Sequence, residues 1–277
     1  MSIDTYGLKI ALIGVSHWHV PLYLTDMSFS AVIAVSDPNE RIAHAFAEKL
    51  SCRAYTDYRK LVESEKPDFV FAFARHDQMR ELALYLIDQG IPFSMEKPMG
   101  LSLKDVETIA QAAERKKHFI AIPFVWRYSD TVNELKENIL DGKIIHMNYR
   151  FIAGPPSRYL ETSDWMLKKE TAGGGCMTNL GVHFIDMAMY LTGAEKADVL
   201  SSVYQYGKAC EIEIYASSMV RMDTGASLFW KPGTPIRWMQ KTSGKTDGRL
   251  LRKKDITFSL TTGSKRGSLA NRHSLPG

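Results

Sequence analysis

A chain of 277 residues, 45% of them hydrophobic, is long enough for one large domain or two modest ones. No apolar run reaches the roughly 20 residues needed to cross a bilayer, and no basic stretch opens the chain, so neither a membrane span nor a signal peptide is expected. The net charge of +4 is uneven: from Lys231 onward eleven Lys or Arg face two acids, which leaves the preceding body mildly acidic. That basic stretch lacks the interleaved aromatics and the modules of a nucleic-acid binder, so neither nucleic acid nor a membrane surface is expected as a partner. Cys52, Cys176 and Cys210 are too scattered for a disulfide framework, and a thiol-reduced, cytoplasmic protein is expected.

In chain order, Leu8 to Gly14 is a short apolar run that suits a buried strand. Ala31 to Val35 is a second, closed by Ser36-Asp37-Pro38. Residues 38–49 read as a helix, with Ile42, Ala45, Phe46 and Leu50 at helical spacing. Phe69 to Ala74 is a strand, Gln78 to Gln89 a helix that stops at Gly90, and Ile91 to Met95 a strand. Ser102 caps a helix to Lys116, and Phe119 to Ile122 is a further strand. Strands alternating with helices imply βαβ units and a parallel sheet.

The pattern changes near Pro123. A helix at 128–140 and a strand at 143–151 precede the polar, Gly/Pro-containing loop 152–170. A helix at 176–191 follows Gly173-Gly174-Gly175. Val199 to Tyr206, Glu211 to Met222 and Ala226 to Trp230 then read as consecutive strands of an antiparallel sheet. The fold class is α/β: an N-terminal Rossmann dinucleotide-binding domain over 1–122, then an α+β domain over 123–260 built on an open, mostly antiparallel sheet. Ile256 to Leu260 is a candidate extra strand, and 261–277 is expected to be a flexible basic tail.

Two stretches carry chemistry. The first βα turn reads Gly14-Val15-Ser16-His17-Trp18-His19, with Asp37 just past the second strand. A dinucleotide site needs a tight turn, close backbone approach to the pyrophosphate, a helix N-terminus facing the phosphates, and an acid for the ribose. The spacing fits, but Ser16 and His19 stand at the second and third glycine positions. Asp37 repels a 2′-phosphate, so NAD is favoured over NADP, with Arg41 one turn further on softening that preference. The second stretch is Glu96-Lys97-Pro98, which ends a strand at the edge where open α/β sheets bind ligands. Lys97 reads either as a group that reaches a substrate hydroxyl or as a loop residue in an ion pair. On the 176–191 helix, Asn179, His183, Asp186 and Tyr190 share one side, either a solvated face or a cleft lining. A histidine there suits proton transfer. His17, His19, His76 and His183 lack a metal-ligand spacing, and no metal is expected.

Together, Leu8 to Gly14, Val35-Ser36-Asp37, Glu96-Lys97-Pro98, Phe124 to Arg127 and Gly173 to Asp186 resemble the glucose–fructose oxidoreductase / inositol 2-dehydrogenase / rhizopine catabolism (Gfo/Idh/MocA) family. The resemblance runs from about residue 7 to 225 and is poor beyond. It implies an NAD(P)-dependent oxidoreductase acting on a secondary hydroxyl or carbonyl of a sugar, polyol or related ring, and a homodimer or homotetramer formed through the second sheet. Lys97 and His183 match the family's catalytic lysine and histidine, with Asn179 where many members carry an aspartate. Cofactor contacts are expected from Gly14, Ser16, His17, Trp18, Asp37, Arg41, Ala74, Arg75, Glu96 and Lys97. Substrate contacts are expected from Lys97, Arg127, Tyr128, Tyr159, Trp165, Asn179 and His183. Asn179 and the altered turn keep a second reading open, a non-catalytic nucleotide- or sugar-binding relative.

Overall fold

Short buried runs and amphipathic helices fold into two compact units in the computed structural model. The model describes residues 7–25, 31–138, 144–153, 159, 164–207, 210–233, 255–262 and 273–274. One unit spans Met1–Pro123 and also takes in Tyr159–Met166 and Glu170–Gly173; the other holds the remainder.

The first unit is built on six parallel strands: β1 (Ile10–Ile13), β2 (Val32–Ser36), β3 (Arg53–Tyr55), β4 (Phe69–Ala72), β5 (Phe93–Met95) and β6 (Ile120–Ala121). Their order is β3-β2-β1-β4-β5-β6, so the direction of winding reverses between β1 and β4. Helices α1 (Val20–Leu24), α2 (Glu40–Leu50), α3 (Tyr58–Glu65), α4 (Met79–Gln89) and α5 (Leu103–Lys116) make the crossovers. All four residues of β1 are buried because alternate side chains enter different cores. Ile10 and Leu12 pack with Val20, Leu24, Ala47 and Leu50, while Ala11 and Ile13 pack with Leu61, Leu82, Leu86 and Ile109. Asn39 caps α2 through Ile42 N–H, and Ser102 and Asp105 cap α5 reciprocally.

Three elements went unread in the sequence. β3 has three residues, α1 five, and α3 buries only Leu61 and Val62, so none is long enough to show a period.

The second unit opens on a 3₁₀ turn (Val125–Tyr128) and α6 (Asp130–Asn138), followed by β7 (Ile144–Ile152). Past the short α7 (Lys169–Ala172), whose last three residues belong to the first unit, a π-helical turn (Met177–Gly181) runs directly into α8 (Val182–Thr192). Strands β8 (Ala197–Tyr206), β9 (Glu213–Met222), β10 (Ser227–Gly233), β11 (Asp255–Thr262) and β12 (His273–Ser274) complete a sheet ordered β12-β11-β7-β10-β9-β8. It is mostly antiparallel, but β10 pairs with β7 in parallel, which consecutive hairpins do not foretell. Met147, Tyr149 and Phe151 of β7 pack against Leu180, Phe184 and Met187. Within the stretch expected as a basic tail, Thr261 and Thr262 end β11, and His273-Ser274 pairs with it. Residues 263–272 and 275–277 lie outside the described residues.

Candidate active site

In the first unit the turn after β1 follows from Gly14. Its φ is +82°, and a Cβ there would stand 2.9 Å from the Phe73 carbonyl carbon, so only glycine lets the turn lie against the end of β4. The Gly14 N–H donates to Ser36 O at 2.7 Å. Asp37 is buried and accepts from Ser16 N–H at 2.7 Å and from Asn39 N–H at 3.0 Å. One carboxylate therefore fixes both the β1–α1 turn and the start of α2. Each oxygen keeps a further lone pair for a ligand hydroxyl.

A cleft of about 600 Å³ opens at this edge, lined among others by Gly14, Ser16, His17, Asp37, Asn39, Arg59, Ala74, Arg75 and Trp165. That size suits a cofactor-scale ligand. Arg41 is exposed and absent from the lining; the cation nearest its expected role is Arg59, on α3, ion-paired to Glu81. Arg75 is held by Asp77 through two hydrogen bonds of 3.0 and 2.6 Å. The helix that follows the turn, α1, is only five residues long, and its N-cap His19 makes no side-chain cap.

Glu96 and Lys97 directly follow β5 and are 3% and 4% exposed, and neither lines the cleft. The Lys97–Pro98 peptide is cis. Glu96 Oε1 accepts from Tyr23 Oη at 2.8 Å and lies 3.0 Å from His19 Nδ1, while Oε2 accepts from Lys97 N–H at 3.2 Å. Burial pushes the Glu96 carboxyl up, but the His19 hydrogen bond and the nearby Lys97 charge outweigh it and bring it down to about 2. Burial beside that carboxylate raises the Tyr23 phenol.

His17 and His76 are buried in the same unit, and Trp165 packs on both rings, at 6.4 and 4.9 Å between centroids. His17 Nδ1 accepts from His19 N–H at 3.2 Å, which places its own proton on Nε2. His76 Nδ1 sits 2.9 Å from Ala172 O. Burial holds both rings neutral, with His17 lowered to about 3 and His76 to about 4. Among the described residues no His/Cys/Asp/Glu group could hold a metal ion.

In the second unit the glycine run explains the approach of the π turn to β9. A Cβ on Gly175 would fall 1.9 Å from Glu213 O, which only glycine avoids. The buried Glu213 carboxylate accepts from Gly175 N–H at 2.8 Å and Met177 N–H at 3.0 Å, meeting donors that open the helical segment. Asn179 is buried in the π turn, and His183, half-buried on α8, faces the rings of Phe124 and Trp126 at 6.1 and 6.4 Å. Such π turns are frequent at functional sites.

Two models of one family match this chain. The oxidoreductase family with an NAD-binding Rossmann fold, Gfo/Idh/MocA, matches residues 8–124, and the GFO/IDH/MocA C-terminal domain matches 131–231. The chain belongs to the Gfo/Idh/MocA family. It is similar to myo-inositol 2-dehydrogenase of Thermotoga maritima, 27% identical over 204 residues that cover 70% of this chain and 58% of that one. It is also similar to D-glucoside 3-dehydrogenase of Escherichia coli, 24% identical over 67% of this chain and 54% of that one. The chain thus spans little more than half the length of these relatives. Its fold matches the crystal structure of GenD2 from gentamicin A biosynthesis in complex with NAD, with a TM-score of 0.79, 18% identity and coverage of 96% of this chain and 72% of that one.

Within this Gfo/Idh/MocA chain the expected site residues divide by unit. Gly14, Ser16, His17, Asp37, Ala74, Arg75 and Trp165 share the cleft of the first unit, and Trp18 packs on His19 and on the buried Tyr159. Arg127 forks its guanidinium onto both oxygens of Asp186, with Nε to Oδ2 at 2.7 Å. Tyr128 is exposed, and Tyr190 accepts from Lys136 Nζ at 3.0 Å. Two of the four polar residues on the α8 side, Asp186 and Tyr190, are therefore tied to neighbouring elements of their own unit. Tyr23 and Glu213 were missed, since no motif or spacing marks them, and His76 was weighed only as a metal ligand.

Proposed function

We propose that the chain is an NAD(P)-dependent oxidoreductase that moves a hydride between nicotinamide and a secondary hydroxyl or carbonyl of a sugar, polyol or related cyclic compound. The observation that carries this reading is the cleft at the carboxyl edge of the parallel sheet, where Gly14 clears the backbone approach and Asp37 stands in the lining. The residues fit the cofactor: Gly14, Ser16, Asp37 and Ala74 would hold it, and the bound nicotinamide would supply the hydride acceptor. Asp37 supports NAD over NADP by charge repulsion. Lys97, a cation at the end of β5, holds the reacting hydroxyl oxygen and lowers the cost of its deprotonation. His183 exchanges the proton, and Asn179 orients it without adding charge. Relatives named for inositol and glucoside oxidation support the substrate class.

The second reading, a non-catalytic ligand-binding relative, draws on Asn179, whose amide cannot stabilise an imidazolium as a carboxylate does. Exposed apolar side chains on β8 support assembly of a homodimer or homotetramer through the second sheet. Among the described residues no helix is long and apolar enough to cross a membrane. The scattered spacing of the three cysteines supports a cytoplasmic site of action. Titration of the purified chain with NADH and NADPH tests the reading. NADH binds more tightly than NADPH if it holds, and no binding of either at millimolar concentration overturns it.

A further inference from the structure

Glu96 sits where the sequence suggests a cofactor contact, yet its oxygens already meet protein donors from two separate segments. Tyr23 Oη comes from α1 and His19 Nδ1 from the β1–α1 turn, both to Oε1; the Lys97 peptide N–H meets Oε2. The carboxylate is almost completely buried. A buried carboxylate stays ionised only when donors and positive charge surround it. The arrangement also gives a reason for the histidine in a glycine position: the ring reaches down from the turn to the end of β5. His17 continues the chain of contacts by accepting the His19 N–H.

We propose that Glu96 is a positioning residue: its carboxylate clamps the His19 end of the β1–α1 turn to the peptide of Lys97, so that the cofactor-side turn and the lysine are held as one unit. The inference rests on the oxidoreductase reading above. Glu96 acts through His19 and Lys97 and does not touch the cofactor. Losing either partner of the clamp frees the same turn, so the two losses do not add.

The test is a double-mutant cycle on the full chain with NADH as probe. Glu96→Gln, His19→Phe and the double variant are compared with the parent for NADH Kd and for tryptophan-sensitised emission of bound NADH at saturation. The clamp predicts that each single change weakens binding about tenfold, that the double variant falls within about twofold of the weaker single, and that all three share one altered emission. A purely structural role would lower the melting temperature and leave Kd and saturated emission as in the parent, which overturns the proposal. Multiplying effects of the two substitutions overturn it as well. If Glu96→Gln does not fold, His19→Phe, Tyr23→Phe and their double variant carry the same cycle with the same criteria. A parent chain that binds no NADH refutes the oxidoreductase reading itself, a result distinct from a parent that binds and a cycle that fails.

Discussion

Lys97 was legible because a lysine between a strand and a proline at the ligand edge has few bland explanations. Its surroundings were not legible: Tyr23 and His19 reach the adjacent Glu96 from a distant part of the chain, and no spacing encodes such convergence. If the Lys97 side chain handles the proton, Lys97→Ala lowers turnover by about 10²–10⁴ while NADH affinity changes little, as steady-state rates and titration together show. The buried histidines make a separate prediction. His17 and His76 have folded values of about 3 and 4 against 6.5 for a free ring, so the unfolded chain binds their protons first. Their neutral burial is fully compatible with the fold above pH 6.5, and stability falls as the pH drops from there toward 4, by on the order of 1 kcal/mol per histidine per pH unit. Glu96, held at about 2 against 4.5, adds stability above pH 4.5 that is lost as the pH falls toward 2. Urea unfolding at pH 7 and pH 4.5 shows the histidine effect, and His76→Asn reduces it; a flat profile between those values refutes it.

At the scale of elements, long periodic helices and buried strands were readable, whereas the pairing of β10 with β7 was not, because register across 81 residues leaves no local trace. The segment 176–191 reads as one helix by period. In the structure it is a π turn followed by α8, and the difference lies in Gly175 and Glu213, which fix how the chain enters the segment. Gly175→Ala forces a methyl group onto the Glu213 carbonyl and should cost about 1–3 kcal/mol of stability by chemical denaturation, with more if the turn cannot shift. Glu213→Ala removes the acceptor of two buried or half-buried amides and should cost a similar amount, about 1–3 kcal/mol. If Gly175→Ala leaves the unfolding midpoint unchanged, the close approach of the π turn to β9 is wrong.

For the molecule as a whole, the sequence shows two kinds of domain through the change from alternating βα units to consecutive strands, and the two sheets are built accordingly. What composition conceals is where apolar surface stays uncovered. Val199, Leu200, Val203, Tyr204 and Tyr206 of β8 are exposed, Val203 at 68%, and Ile145 and Phe229 are exposed elsewhere on the same sheet. Single exposed apolar residues are ordinary, but several on one sheet make it a candidate interaction surface. Because β8 is the edge strand, its open backbone adds a further incentive to pair. If this sheet joins copies of the chain, the protein sediments as a dimer or tetramer, and Val203→Glu places a charge in the contact that burial penalises strongly. Sedimentation then shifts toward monomer at micromolar concentration, while NADH affinity, set in the first unit, stays within about twofold. A parent chain that sediments as a monomer at every concentration refutes the interface, and a Val203→Glu variant with unchanged mass places the contact elsewhere.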